Sequence, residues 1–122
     1  MNPSTVPGTD RLLQKHLAAF IDNDLDAVVS DYASDAVFVT PDATYEGPAR
    51  IREFFRELMQ HFPKGASTLA LDRTEFHGDI VYFIWHGKTP TLEVPFATDT
   101  MVVRGDKIVK QTFAGVLQPV KQ

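Results

Sequence analysis

The chain contains no cysteine. That absence removes disulfides, thiolate nucleophiles and cysteine-ligated metal together. No stretch approaches the ~18 consecutive apolar residues that cross a bilayer as a helix. The opening Met-Asn-Pro-Ser-Thr-Val-Pro-Gly-Thr-Asp has neither the charged start nor the apolar run of a signal peptide. A cytoplasmic protein with no membrane partner is expected. Positive charge is also scarce, with 12 Lys and Arg against 16 Asp and Glu and a net charge of -4. The basic residues do not cluster, and a surface that tracks phosphates needs a cluster, so nucleic acid is not expected as a partner. No Gly-rich phosphate loop and no Gly-x-Ser-x-Gly occurs, which argues against nucleotides and serine hydrolysis. The histidines, His16, His61, His77 and His86, lack ligand spacing such as His-x-x-x-His, so neither a metal site nor a cofactor is expected.

What remains is a chain of 122 residues, 43% hydrophobic, with charges mixed along its length. That composition fits one folded domain with a single core. Residues 1–9 are rich in Pro and Gly and are expected to be disordered, leaving one domain over 10–122. Asp10 is placed to cap a helix running to about Asp22, with Leu13, His16, Leu17, Phe20 and Ile21 on one stripe. Asp24 is placed to cap a second helix that turns Leu25, Val28, Val29 and Tyr32 inward. A strand over Ala36–Thr40 and a turn at Pro41-Asp42 follow. Gly47-Pro48 opens a third helix presenting Ile51, Phe54, Phe55, Leu58 and Phe62, which ends before Pro63-Lys64-Gly65.

The rest reads as strands, roughly 67–77, 80–89, 94–104 and 107–117, with two-residue hairpins at Gly78-Asp79 and Gly105-Asp106. The predicted architecture is α+β, three N-terminal helices packed on a curved, mostly antiparallel sheet. A regular hairpin about Gly105-Asp106 puts Thr98, Thr100 and Val102 on one face with Phe113, Gln111 and Val109. Asp99 then falls on the other face near Lys110 and Thr112; a bulge would flip everything beyond it and turn Asp99 inward as a general-base candidate. Tyr82, Ile84 and His86 share a face opposite Val81, Phe83 and Trp85. Both faces of that strand are apolar, so the helices cover one and a second copy of the chain is expected to cover the other.

Two motifs carry a resemblance: Tyr32-Ala33-x-Asp35-Ala36, and Tyr45-x-Gly47-Pro48-x-x-Ile51-x-x-Phe54-Phe55 after a β run ending in Pro. The sequence resembles the nuclear transport factor 2-like superfamily, and within it the SnoaL-like polyketide cyclases and ketosteroid isomerase-like proteins, over roughly residues 10–117. The resemblance implies a cone-like fold around a pocket and a homodimer packed through its sheets. It does not select an activity, because this fold hosts many.

On composition, His16 is a core histidine satisfied by one partner. Counting back from the first motif, the resemblance instead puts His16 where ketosteroid isomerases carry an oxyanion-hole tyrosine, where an imidazole could donate a hydrogen bond or move a proton. By the same comparison the general-base aspartate corresponds to Thr40, and the protonated oxyanion aspartate most nearly to Thr100. A threonine hydroxyl is no base at neutral pH, so ketosteroid isomerase activity itself is not expected. The candidate site is a polar group of His16, Thr40, His86, Thr98, Thr100 and Gln111. Phe38, Phe55, Tyr82, Ile84 and Phe113 form its apolar wall. His16, His86 and Thr100 are the candidate catalytic residues. Read singly, each threonine is explained by β propensity and His86 by a rim position.

Two functions remain open. One is a cofactor-independent isomerase, cyclase or dehydratase acting on a small hydrophobic ring compound. The other is a non-catalytic module that binds a hydrophobic ligand or serves only to dimerise.

Overall fold

The computed structural model describes residues 8–120. The first helix, α1 (Thr9–Ile21), buries Leu12, Leu13, His16 and Phe20 on its stripe. Its N-cap is Gly8 at φ 87°, not Asp10. The expected disordered segment falls mostly outside the described residues, and Thr9 already lies in α1. Asn23, at φ 57°, ends the turn after α1 in the left-handed region that its short amide tolerates. Its side chain donates to the carbonyls of Met59 and Phe62 at 2.8 and 2.7 Å, tying this corner to the end of the third helix. Asp24 caps α2 (Leu25–Ser30) as expected, accepting from the Ala27 amide at 3.1 Å.

The chain passes almost directly from α2 into β1 (Tyr32–Val39), four residues earlier than the β-branched run suggested. A short β2 (Thr44–Glu46) pairs back on β1, and Pro48 opens α3 (Pro48–Met59). Four strands complete the chain: β3 (Thr68–His77), β4 (Ile80–Lys88), β5 (Leu92–Arg104) and β6 (Lys107–Pro119). They form one six-stranded sheet in the order β2-β1-β6-β5-β4-β3, antiparallel except where β1 runs parallel to β6. The architecture is α+β with three helices and a mixed sheet. One correction concerns order: the β1–β2 hairpin separates α2 from α3, so the helices do not all precede the sheet. Thr44-Tyr45-Glu46 is too short and too polar to announce a strand, and it exists because β1 offers it an edge.

Both hairpins turn where expected, with His77 opposite Ile80 and Arg104 opposite Lys107. Beyond the second turn, however, the register slips. Val103 faces Ile108, but Val102 faces Lys110, leaving Val109 as the extra residue of a bulge. Everything after it moves by one, so Asp99 pairs with Phe113 and Met101 with Gln111. β5 itself alternates without a break from Ala97 to Val103, with Asp99 inward and Thr98 and Thr100 outward. The extra residue on β6 brings Gln111 and Phe113 onto the Asp99 face.

The inner face of the sheet buries Val81, Phe83, Trp85, Ala97 and Met101 beneath α1 and α3. Aromatic rings fill the space between, with Phe20 and Phe62 4.9 Å apart and Phe38 and Phe54 4.8 Å apart. Among the described residues, no helix is long and apolar enough to cross a membrane.

Candidate functional site

Between α1, α3 and the inner face of the sheet lies a cavity of about 40 Å³. Helix α1 contributes His16 and Leu17, and α3 contributes Phe54, Phe55 and Leu58. The sheet adds Phe38, Trp85 and Phe113 with two polar groups, Asp99 and Gln111. A few water-sized groups fit at roughly 15 Å³ each. Phe54 and Leu58 also border an open groove on the outside of α3, so these two side chains form a wall between the cavity and solvent.

The polar groups form a chain across the floor of this space. Asp31, buried where α2 meets β1, sits 2.7 Å from the Lys15 ammonium through Oδ1 and 2.9 Å from His16 Nδ1 through Oδ2. Burial would raise its carboxyl, but the hydrogen bonds and charges of His16 and Lys15 outweigh that and hold it below the ordinary range. His16 Nε2 lies 3.5 Å from the Tyr32 hydroxyl, which donates to Gln111 Oε1 at 2.6 Å. Gln111 Nε2 donates to Asp99 Oδ2 at 2.8 Å, and the Trp85 indole donates to Oδ1 at 2.9 Å. Burial pushes Asp99 up to about 7 against the pull of these two bonds. Burial, with the Asp99 and Asp31 carboxylates nearby, pushes the Tyr32 phenol well above its ordinary value.

Of the residues expected at the site, the cavity brings together His16, Phe38, Phe55, Gln111 and Phe113. The others lie elsewhere. Tyr82, Ile84 and His86 alternate with the buried Val81, Phe83 and Trp85 and face the outside of the sheet. Because both faces of β4 are apolar, its pattern alone did not distinguish inside from outside. His86 is exposed, with Nδ1 2.8 Å from Asp72 Oδ2, and Tyr82 lies under the Arg73 guanidinium at 5.9 Å. Thr98 and Thr100 alternate with the buried Ala97, Asp99 and Met101 and face outward, and the bulge at Val109 removes Gln111 and Phe113 from their face. Thr40 is spent on its turn, its hydroxyl accepting from the amides of Asp42 and Ala43.

Of the groups in this chain of contacts, the sequence did not single out Asp31, turned Tyr32 inward without a role, set Trp85 on the face away from the site, and admitted Asp99 only under a bulge. One signal was available. Ala97, Asp99, Met101 and Val103 form the more apolar alternate set of β5, and a lone carboxylate in such a set marks a buried acid. His16 is buried and lines the cavity, with Asp31 Oδ2 at Nδ1 and the Tyr32 hydroxyl 3.5 Å from Nε2. Among the described residues, no three acidic or histidine side chains come together to hold a metal ion.

The SnoaL-like domain family matches residues 13–111. The chain belongs to that family. No curated protein matches it. Solved structures show the same fold at low identity. A protein of Kribbella flavida proposed to be a ketosteroid isomerase is 13% identical, with coverage of 98% of this chain and 84% of that one and a TM-score of 0.75. A SnoaL-like protein of Shewanella putrefaciens, proposed to be a polyketide cyclase, is 14% identical, with coverage of 90% and 80% and a TM-score of 0.73. TerC, crystallised with polyporic acid, is 20% identical, with coverage of 88% and 91% and a TM-score of 0.70. This SnoaL-like domain thus shares a nuclear transport factor 2-like fold with proteins assigned to cyclase and isomerase chemistry.

Proposed function

We propose that this SnoaL-like domain binds a small, mostly apolar ring compound in the cavity and moves protons on it without a cofactor, as an isomerase, cyclase or dehydratase does. The observation that carries this reading is Asp99, a buried carboxyl at the cavity wall poised at about 7. Near neutral pH such a group exists in both forms, and each has a use. The carboxylate abstracts a proton from a carbon beside a carbonyl, and the neutral acid donates to the oxygen where charge develops. His16, fixed through Nδ1 by Asp31, supplies the second titratable group. The catalytic assignment therefore moves from His86 and Thr100 to Asp99. Ketosteroid isomerase activity remains unexpected, because Thr40 has no basic group. The outer face of the sheet supports a homodimer.

A thermal-shift screen of steroids, polyketides and aromatic acids, followed by turnover assays on the compounds that bind, tests the reading. Asp99→Asn should keep binding and lose at least about a hundredfold in rate, the usual contribution of a general acid or base. Full activity in that folded variant overturns it. The lining favours a second reading, binding alone: it is apolar apart from His16, Asp99 and Gln111, and all three are already hydrogen-bonded within the protein. Ligands that bind without being converted would establish that reading.

A further inference from the structure

Three links join His16 to Asp99: His16 Nε2 to Tyr32 Oη, Tyr32 Oη to Gln111, and Gln111 to Asp99. A satisfied link holds one hydrogen, since two would collide and none would leave lone pairs opposed. Tyr32 brings one hydrogen. The Gln111 amide brings one more, at whichever end its nitrogen faces. The third must come from His16 Nε2 or from the Asp99 carboxyl. We propose that Tyr32 and Gln111 make His16 and Asp99 share this proton, so that the cavity holds one acid and one base at a time.

With Asp99 ionised, Gln111 points its nitrogen at Asp99 and its oxygen at Tyr32, and the hydrogen is owed by His16 Nε2. With Asp99 neutral, the order reverses. The Trp85 indole can only donate, so the carboxyl keeps its bare oxygen toward Trp85 and turns its O–H to Gln111. The amide then turns over and donates to Tyr32, which donates to an unprotonated His16 Nε2. The 3.5 Å His16–Tyr32 link, the longest of the three, is where the order is broken or completed. Around the chain, Lys15 and Asp31 are the charged groups on the side of His16, and Tyr32 is the titratable group between. Asp99 meets Trp85 from β4 and Gln111 from β6, and α3 sets the apolar Phe55 ring beside His16 and Tyr32.

The inference deepens the reading of Asp99 as the proton-exchanging group, and rests on it for its use in a reaction. As the Asp99 carboxylate takes a proton from a substrate carbon, the C–H pair becomes that of an enol, and His16 Nε2 gives its proton to the enol oxygen. One O–H forms on Asp99 and one N–H breaks on His16, and the amide turns to match. The reverse step at another carbon would complete an isomerisation.

Nuclear magnetic resonance of the His16 imidazole nitrogens tests this without any substrate. Asp99→Asn, with its oxygen kept by Trp85, turns a donor toward Gln111. His16 should then lose its Nε2 proton at a pH where the parent protein holds it. In the Tyr32→Phe background the same substitution should leave the His16 signals unchanged. An equal shift in both backgrounds would reduce the effect to a through-space field and overturn the proposal, as would no shift in either. Should a variant not fold, the parent protein decides the question: carboxyl and imidazole signals must each titrate in two steps, separated by a range in which both are partly protonated. A single independent step for each overturns the sharing. Loss of the catalytic reading alone would leave these signals untouched.

Discussion

Asp99 and Asp31 give the fold opposite responses to pH. The folded Asp99 sits at about 7, above its ordinary 3.8, so folding favours its protonated form. Its contribution is fully present below about 4 and lost as pH rises through about 7, a change of at most about 4 kcal/mol. Asp31 is lowered, so its contribution is present above 3.8 and lost as pH falls through its lower folded value. Urea unfolding midpoints should therefore fall between pH 4 and 7 in the parent protein and hold nearly level there in Asp99→Asn. Parallel curves would mean that Asp99 is not held in a desolvated site. His16→Phe should cost about 1–3 kcal/mol, because it leaves the buried Asp31 Oδ2 without its donor. A thermal unfolding midpoint that does not move would show that Lys15 alone satisfies the carboxylate. At this scale the sequence was legible for His16, whose helical spacing sets its direction. It was half legible for Asp99. The apolar alternation of β5 points it inward, but a regular hairpin register puts Gln111 and Phe113 on the other face, and only the bulge at Val109 joins them to it.

Elements announced themselves where local chemistry makes them. Asp24 caps α2, Pro48 opens α3, and Gly105 and Asp106 adopt the positive φ of a tight hairpin. What stayed hidden depends on partners distant in sequence: β2, the parallel pairing of β1 with β6, and the bulge at Val109. The helix with the clearest consequence is α3, since Phe54 and Leu58 stand between the cavity and the outer groove. Both are half-buried, so removing the Phe54 ring should cost about 1–2 kcal/mol, less than a fully buried ring. It should also open the cavity. An apolar fluorescent dye should bind Phe54→Ala faster than the parent protein, as measured by stopped flow. Unchanged association would place the entrance elsewhere, beside Leu17 or Phe113.

For the whole molecule, the question is what covers the outer face of the sheet. Tyr82, Ile84, Thr98 and Thr100 lie there half-buried, and Ile80, Phe96 and Val116 remain 42, 48 and 45% exposed. Phe96 and Val116 are paired across β5 and β6, so the apolar surface is continuous between strands. A face of this kind on a monomer invites association, and a second copy presenting the same face would cover both at once. The sequence carries the same expectation, because an apolar strand on both sides needs two covers, but it set Tyr82, Ile84, His86, Thr98 and Thr100 on the inner side, and they lie on the outer one. Sedimentation at micromolar concentration should give a species of twice 13.6 kDa. Phe96→Glu should give the 13.6 kDa species instead, with an unchanged far-ultraviolet circular dichroism spectrum, because the side chain supports no part of the inner core. A parent protein that sediments only as the smaller species would leave this face uncovered and end the dimer. A Phe96→Glu protein that still sediments as the larger one would move the interface to another part of the surface.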